Sequence, residues 1–123
     1  PKITLVIRKA YGGSYLAMCS KDLGADMVLA WPTAELAVMG PEGAAQIIFR
    51  DEIEKAEDKG KVLKEKVKLY RETFANPYRA AEALHIDDVI DPADTRPMLI
   101  KALEMSLTKR ERRPPKKHSV PPV

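Results

Sequence analysis

Two glycines and a serine stand at Gly12-Gly13-Ser14, where a strand would lead directly into a helix. Residues 3–8 are rich in Ile, Val and Leu, which predicts a buried parallel strand. Ser14 is a favoured N-cap, and residues 15–19 predict a short buried helix. Glycines allow a ligand close to the backbone, and the first N–H groups of a helix have no partners within it. The turn is therefore a candidate anion site, or an oxyanion hole if the ligand is a carbonyl that gains negative charge.

Two other interpretations of this turn compete with an oxyanion hole. A serine nucleophile would need the pattern Gly-x-Ser-x-Gly, but Leu16 stands two residues after Ser14. The phosphate-binding patterns Gly-x-Gly-x-x-Gly and Gly-x-x-x-x-Gly-Lys-Ser are absent from the sequence. A tight turn with a capping serine and no chemistry is the remaining alternative, and the turn alone favours it.

Few other residues are candidates for chemistry. The single Cys19 excludes an internal disulfide and a cysteine-based metal site, and it predicts a small buried residue in a reduced compartment. Glu35 is the carboxylate of most interest, and we expect it to bond backbone at a pocket rim. Four aspartates flank Pro92, and their spacing favours strand-end and capping roles over a metal site: Asp87, Asp88, Asp91 and Asp94.

Positive charge is concentrated near the end of the chain. The net charge is +3, and residues 109–118 alone carry +5, which leaves −2 elsewhere. Residues 109–123 predict an extended, basic, proline-rich tail, because its prolines prevent a recognition helix and no aromatic residue is interleaved. We therefore expect a solvated or partner-docked tail and no nucleic-acid partner. No apolar run reaches the length of a membrane span, so no membrane partner is expected.

The remaining pattern predicts a mixed α/β architecture. Strands are expected at 27–31 and 86–90, with an extended segment at 34–39. Helices are expected from Pro41 to Phe49, around 52–58 and over 61–75, and Gly60 is expected to separate the second from the third. Two further helices are expected from Pro77 to Ala83 and after a capping Thr95. The chain opens on a strand and supplies few others to pair with it. We therefore expect that a preceding half of the protein is missing.

Four segments together resemble one enzyme family. They are Arg8 to Tyr15, Ala30 to Gly40, Asn76-Pro77-Tyr78 and Arg113 to His118. This combination closely resembles the C-terminal part of the β subunit, the carboxyltransferase subunit, of biotin-dependent acyl-CoA carboxylases. The propionyl-CoA carboxylase type is the most similar. The same subunit type occurs in methylmalonyl-CoA decarboxylases and in transcarboxylase.

The resemblance implies a fold, a set of partners and a reaction. The expected fold is crotonase-like, with residues 1–123 forming the latter part of a C-terminal domain that ends in helices. The implied reaction moves a carboxyl group from carboxybiotin, held on a biotin carrier or biotin carboxylase subunit, to the α-carbon of a short acyl-CoA such as propionyl-CoA. A hexamer is implied, with a cytoplasmic location or the mitochondrial matrix in a eukaryote. A decarboxylase or transcarboxylase subunit, or a non-catalytic assembly piece, is the alternative.

The resemblance also implies roles for the residues of the turn. The backbone N–H groups of Gly13 and Ser14 match the pair that stabilises the biotin ureido oxygen. Gly12, Tyr15 and Leu16 match substrate-binding positions, and Leu16 matches the one that tunes acyl length. The family usually has Ala where this chain has Ser14, but a backbone contact tolerates that change. No metal is implied.

Overall fold

Five short strands and six α-helices make up residues 1–112 and Pro115, the part of the chain described by this computed structural model. The strands are β1 (Ile3–Val6), β2 (Lys9–Tyr11), β3 (Met27–Ala30), β4 (Glu35–Ala37) and β5 (Asp88–Val89). The helices are α1 (Gly12–Ala17), α2 (Pro41–Ile48), α3 (Arg50–Lys55), α4 (Lys59–Thr73), α5 (Pro77–Glu82) and α6 (Thr95–Met105). Short 3₁₀ turns cover Lys21–Leu23 and Pro92–Asp94.

The strands form two parallel sheets. The larger sheet has the order β1-β3-β5, and β2 pairs with β4 in the smaller one. The prediction of a single strand over 3–8 is wrong in its extent. Its first part pairs with β3 up to Val6 opposite Ala30. The chain then bends at Arg8 and continues as β2 beside β4. Hydrophobicity alone could not locate this change of sheet, because the apolar run of β1 continues through Ile7, beyond its last paired residue, Val6.

The main core lies around the central strand β3, as buried parallel strands require. Val28 and Ala30 are completely buried, and Leu29 is 1% exposed. Most other members of this core are small, which lets helices approach the sheet closely: Val6, Ala10, Ala25, Ala34, Leu36, Ala80 and Ile86. A second, smaller cluster of Ala44, Tyr70 and Ala75 joins α2 to α4.

Three predicted element boundaries need correction. Gly60 does not separate two helices but is the second residue of α4, because the Asp58 side chain accepts from the Lys61 N–H and starts the helix earlier. Thr95 is the first residue of α6, and Asp94 holds the N-cap position. The strand predicted over 86–90 is reduced to β5, which pairs only with the end of β3.

Asp87 and Asp91 have the structural roles predicted for the aspartates near β5, whereas the Asp94 side chain makes no capping hydrogen bond. Asp87 accepts hydrogen bonds from the Val28 N–H at 2.8 Å and from Lys21 Nζ at 2.5 Å. Partial burial raises the pKa of Asp87, but these donors outweigh it and hold the pKa below its usual range. Asp91 accepts from the Ala93 N–H at 2.8 Å, which caps the following turn.

The predicted tail over 109–123 lies mostly outside the described residues. Residues 109–112 have neither helix nor strand. Lys109 Nζ lies 2.6 Å from Asp26 Oδ1, and the same Asp26 carboxylate accepts from the Lys2 N–H at 2.7 Å. The Lys109 hydrogen bond, with help from Lys2, lowers the pKa of Asp26. Within the described part of the chain, no helix is long and apolar enough to cross a membrane.

Candidate functional site

The strand-to-helix turn is built against the backbone of β4 and the residue after it. Tyr11 ends β2 opposite Ala37, and α1 begins at the next residue, Gly12. Gly12 has a φ of +52°, and a Cβ placed on it would lie 2.7 Å from the carbonyl oxygen of Val38. Both the left-handed backbone and the close approach require glycine here.

The prediction that Ser14 caps the helix is wrong. Tyr11 occupies the N-cap position with an extended backbone, φ −116° and ψ 129°. Ser14 lies inside the first turn, and its Oγ donates to the Tyr11 carbonyl oxygen at 2.7 Å. The helix starts earlier because Gly12 can take the conformation that turns the strand directly into a helix.

The expectation of a buried helix after the turn is also wrong. Helix α1 contains no buried residue. Cys19, expected to be buried, is partly exposed and has a φ of +77° just after the helix end. The helix lies on the surface of the described molecule rather than in its core.

Gly13 and Ser14 present two adjacent backbone donors. Neither N–H has an acceptor within α1, since both belong to its first turn. Within residues 1–112, neither N–H meets an acceptor from another element. A Cβ placed on Gly13 would have no atom within 4 Å, so the space beside it is open. Two such donors can stabilise an oxygen atom that gains negative charge.

An apolar pocket of about 310 Å³ lies beside the turn. Three of the predicted site residues, Gly12, Tyr15 and Leu16, line it together. The other lining residues come from β4 and its end, from the end of α4, from α5 and the segment after it, and from the 3₁₀ turn Lys21–Leu23: Leu36, Ala37, Val38, Phe74, Arg79, Ala80, His85 and Asp22. Ser14 does not line this pocket but a neighbouring groove of about 550 Å³ along β1, and Gly13 lines neither.

Tyr15 joins α1 to the far wall of the pocket. Its hydroxyl donates to the His85 carbonyl oxygen at 3.2 Å. Partial burial raises the pKa of Tyr15, so its hydroxyl remains a donor. His85 Nδ1 lies 3.8 Å from Asp22 Oδ2 at the pocket rim. Tyr15 thus lines the pocket and also connects α1 to the segment that follows α5.

A polar cluster on the opposite side of the turn was missed by sequence reasoning. The Tyr11 hydroxyl donates to Glu35 Oε2, and Arg71 Nε lies 3.2 Å from the same oxygen. The expectation that Glu35 bonds backbone at a pocket rim is therefore wrong about its partners, which are side chains. Arg71 follows Glu35 by 36 residues, so no local pattern could have paired them.

No group of three or more His, Cys, Asp or Glu side chains is arranged to hold a metal ion in the part of the chain that the structure covers. The chemical resources of the site are therefore main-chain donors, an apolar pocket and a few rim charges.

Comparison with known proteins identifies the family. Residues 1–121 match the carboxyl transferase domain. The chain belongs to the carboxyl transferase domain family. It is 62% identical over 118 residues to the methylmalonyl-CoA carboxyltransferase 12S subunit of Propionibacterium freudenreichii subsp. shermanii, which covers 96% of this chain and 22% of that protein. It is 54% identical over 123 residues to the propionyl-CoA carboxylase carboxyltransferase subunit of Haloferax mediterranei, covering all of this chain and 24% of that one.

Solved structures agree with this assignment and confirm the crotonase-like fold. A transcarboxylase 12S crystal structure, described as a hexamer with methylmalonyl-coenzyme A and methylmalonic acid bound, superposes with a TM-score of 0.85 at 61% identity. That match covers 98% of this chain and 23% of the other. The β subunit of P. aeruginosa geranyl-CoA carboxylase superposes with a TM-score of 0.68 at 28% identity. That match covers 85% of this chain and 20% of the other. This chain thus spans less than a quarter of the length of each of these relatives.

Proposed function

We propose that this chain supplies the biotin-side half of a carboxyltransferase active site. The full-length protein would move a carboxyl group from carboxybiotin to the α-carbon of a short acyl-CoA, with propionyl-CoA as the favoured acceptor. The observation that carries the proposal is the turn at Gly12, where the unpartnered N–H groups of Gly13 and Ser14 stand between the pocket-lining residue Gly12 and the pocket-lining residues 15 and 16. Identity of 54% to a propionyl-CoA carboxylase subunit supports the choice of acceptor.

The residues of the turn fit the biotin ring system. A ureido oxygen accepts two hydrogen bonds, and Gly13 and Ser14 offer two adjacent donors. When bound, carboxybiotin would supply the activated carboxyl group and a ureido oxygen on which negative charge can develop. The two N–H groups would stabilise this charge, and removing one such donor in other enzymes costs about 3 kcal/mol of transition-state stabilisation. No side-chain acid or base is needed at this turn for that role.

The neighbouring residues would shape and close the site. Gly12 brings the backbone of the turn against Val38, and the apolar side chain of Leu16 lies on the pocket wall. We propose that Leu16 limits the length of the acyl chain by its bulk. Tyr15 would hold the pocket at a fixed width through its bond to the His85 carbonyl.

The remainder of the site is proposed to lie outside these residues. In this proposal residues 1–123 are the latter part of a C-terminal domain, and acyl-CoA binds to a preceding domain of a neighbouring subunit. The 12S relative is described as a hexamer, and we propose the same assembly here. A biotin carrier or biotin carboxylase subunit would be the second partner, and a cytoplasmic location fits the single unpaired cysteine.

The test is a substitution series at Gly13 in the full-length protein. Gly13→Ala and Gly13→Val should fold, because a Cβ at this position meets open space. Transfer of the carboxyl group from methylmalonyl-CoA to free biotin should fall about tenfold in the Ala variant and about a hundredfold or more in the bulkier Val variant. An unchanged rate in a folded Gly13→Val protein would remove the proposed role.

A decarboxylase is the second candidate function. The chain is 55% and 59% identical to methylmalonyl-CoA decarboxylase α subunits of Propionigenium modestum and Veillonella parvula. The same turn would serve either direction of transfer. The complex purified with its biotin-carrying partner distinguishes the two: a carboxylase fixes bicarbonate into propionyl-CoA with ATP, whereas a decarboxylase releases CO₂ from methylmalonyl-CoA without it.

A non-catalytic assembly piece is the alternative for the 123 residues by themselves. The isolated chain should then show no carboxyl transfer to free biotin, because the proposed acyl-CoA-binding domain lies outside these 123 residues. Substantial turnover by the isolated chain would refute this interpretation.

A further inference from the structure

We propose that Tyr11, Glu35 and Arg71 form a positioning clamp that aims the Gly13 and Ser14 N–H groups at their acceptor. The three residues belong to β2, β4 and α4, and none of them lines the pocket. They are therefore positioning residues rather than catalytic ones. This inference rests on the proposed function, because it assigns the clamp to the same turn.

The main chain of Tyr11 connects the clamp to the turn. Tyr11 is the N-cap residue of α1, and Gly12 follows it directly. The Tyr11 carbonyl oxygen also accepts from Ser14 Oγ at 2.7 Å. A displacement of the Tyr11 backbone is therefore passed to the first turn of α1 by both the chain and a hydrogen bond.

The side chain of Tyr11 reaches away from the pocket to a shared carboxylate. Its hydroxyl donates to Glu35 Oε2, and Arg71 Nε donates to that same oxygen at 3.2 Å. Arg71 Nη2 also contacts Glu42 of α2 at 3.4 Å. Four elements of the molecule are thus joined through one tyrosine hydroxyl and one guanidinium group.

The clamp is sheltered at its centre. The Glu35 side chain is 20% exposed, whereas the Arg71 side chain is 42% exposed. The Tyr11 ring passes beside Gly40, where a Cβ would lie 3.7 Å from the ring. Glu35 lies opposite Lys9 at the start of the paired strands, so the carboxylate is fixed by sheet register as well as by its partners.

The hydroxyl of Tyr11 remains a donor across the working pH range. Burial, then the hydrogen bond to Glu35 and its negative charge, raise the pKa of Tyr11 well above that of a free tyrosine. The nearby Arg71 charge only partly opposes this shift. The clamp therefore acts as a fixed brace and does not open or close near neutral pH.

Aim matters at this turn because the proposed donors are backbone groups. A donor that stabilises a developing charge acts only within a narrow range of distance, and a misplacement of about 1 Å costs about a hundredfold in rate. The Tyr11–Gly12 end of the turn is held by Val38 against Gly12 and by the clamp. Gly13 on the other side has open space.

The test uses the full-length protein and two readouts. Tyr11→Phe removes the hydroxyl while keeping the ring beside Gly40. We expect kcat for transfer from methylmalonyl-CoA to free biotin to fall about tenfold, with KM for methylmalonyl-CoA unchanged. We also expect the infrared stretch of an isotope-labelled biotin ureido carbonyl, bound to the protein, to move to higher frequency because its hydrogen bonds are weaker.

Two further variants grade the effect. Glu35→Gln keeps an acceptor for the Tyr11 hydroxyl but loses the charge that holds Arg71, so a smaller change in both readouts is expected. Tyr70→Phe is the matched control, since it removes a tyrosine hydroxyl one residue before Arg71, and the Tyr70 ring packs on Phe74 at 5.3 Å rather than on Glu35. Its rate and carbonyl frequency should equal those of the wild type.

The outcomes separate this inference from the proposed function. If wild-type protein transfers no carboxyl group to biotin, the proposed function itself is wrong. If wild type is active and Tyr11→Phe leaves kcat unchanged, the clamp is wrong and the function stands. A lower kcat with an unchanged carbonyl frequency also overturns the clamp. The hydrogen bonds to the ureido oxygen would then be unaltered, and the lower rate would come from a general loss of protein stability.

Discussion

The two sides of the Gly12 turn differ sharply in how they are built. On the packed side, Tyr11 and Gly12 contact β4, the residues after it and α4 through a short polar network and a close backbone approach. On the open side, Gly13 has free space and Leu16 is 42% exposed. The difference shows that one side of a single turn is packed against neighbouring elements and that the other side is open.

The largest effect should come from substituting Gly12 rather than its neighbour. Gly12→Ala introduces a Cβ 2.7 Å from the Val38 carbonyl oxygen at a φ of +52°, and we expect a loss of about 2–4 kcal/mol in the free energy of unfolding. Gly13→Ala should change that free energy by no more than about 1 kcal/mol. Chemical denaturation of the two full-length variants gives the comparison. Equal losses would mean that the two sides of the turn are not distinct.

The next effect concerns selectivity on the open side. Leu16→Ala enlarges the apolar pocket with little cost in stability, since the side chain is already 42% exposed. We expect the ratio of kcat/KM for butyryl-CoA over propionyl-CoA to rise about tenfold, as one methylene in an apolar pocket is worth about 1–3 kcal/mol. Leu23→Ala, a 57% exposed leucine outside the pocket, is the control. An unchanged ratio in Leu16→Ala would remove Leu16 from the acyl site.

A smaller effect should appear in alkaline solution on the packed side. An unfolded tyrosine loses its proton near pH 10, whereas the raised pKa of Tyr11 keeps its proton on in the folded protein. The contribution of the Tyr11 proton to the free energy of unfolding is therefore complete below about pH 10. As the pH rises above that value, this contribution is lost at no more than about 1.4 kcal/mol per pH unit. Tyr11→Phe should lose less stability over that range than wild type.

Absorbance titration provides an independent check of the same group. The difference in tyrosinate absorbance between wild type and Tyr11→Phe should show one tyrosine that ionises later than the rest. A difference signal that titrates at about pH 10 would show that the hydroxyl is not held by Glu35.

The smallest effect is expected at Ser14. Its Oγ donates to the Tyr11 carbonyl oxygen at an exposed position, so Ser14→Ala should cost only about 0.5–1 kcal/mol in the free energy of unfolding. Thermal denaturation of full-length Ser14→Ala and Gly12→Ala, measured side by side, compares the two losses in the free energy of unfolding. A loss as large as that of Gly12→Ala would place the rigidity of the turn in the serine rather than in the glycine.

The sequence predicted the elements of the site better than their contacts. A glycine pair after an apolar run is a local signal, so the sequence alone predicts that Gly12-Gly13 lies between strand and helix. The pocket residues Tyr15 and Leu16 were named through the family resemblance, and they do lie together. The N-cap was misplaced at Ser14, since residue preferences for caps cannot register that Gly12 adopts a positive φ.

The contacts that could not be predicted depend on long-range geometry. Val38 and Gly12 meet only because β2 and β4 pair in parallel with Tyr11 opposite Ala37. The ion pair between Glu35 and Arg71 needs the C-terminal part of α4 to lie near the start of β4, which no spacing in the sequence specifies. The shift from one sheet to the other at Arg8 was missed for the same reason, because hydrophobic runs do not record which partner a strand takes.

The unpartnered N–H groups of Gly13 and Ser14 have a consequence for how this site can vary among related proteins. Every residue except proline carries the same main-chain donor. A change of side chain at Ser14 therefore keeps the donor, and it costs only the Oγ hydrogen bond to the Tyr11 carbonyl so long as the preceding turn keeps its shape. A search for invariant acids, bases or nucleophiles will not find such a site. The residues under strongest selection will be the neighbours that hold the backbone of the turn in its conformation.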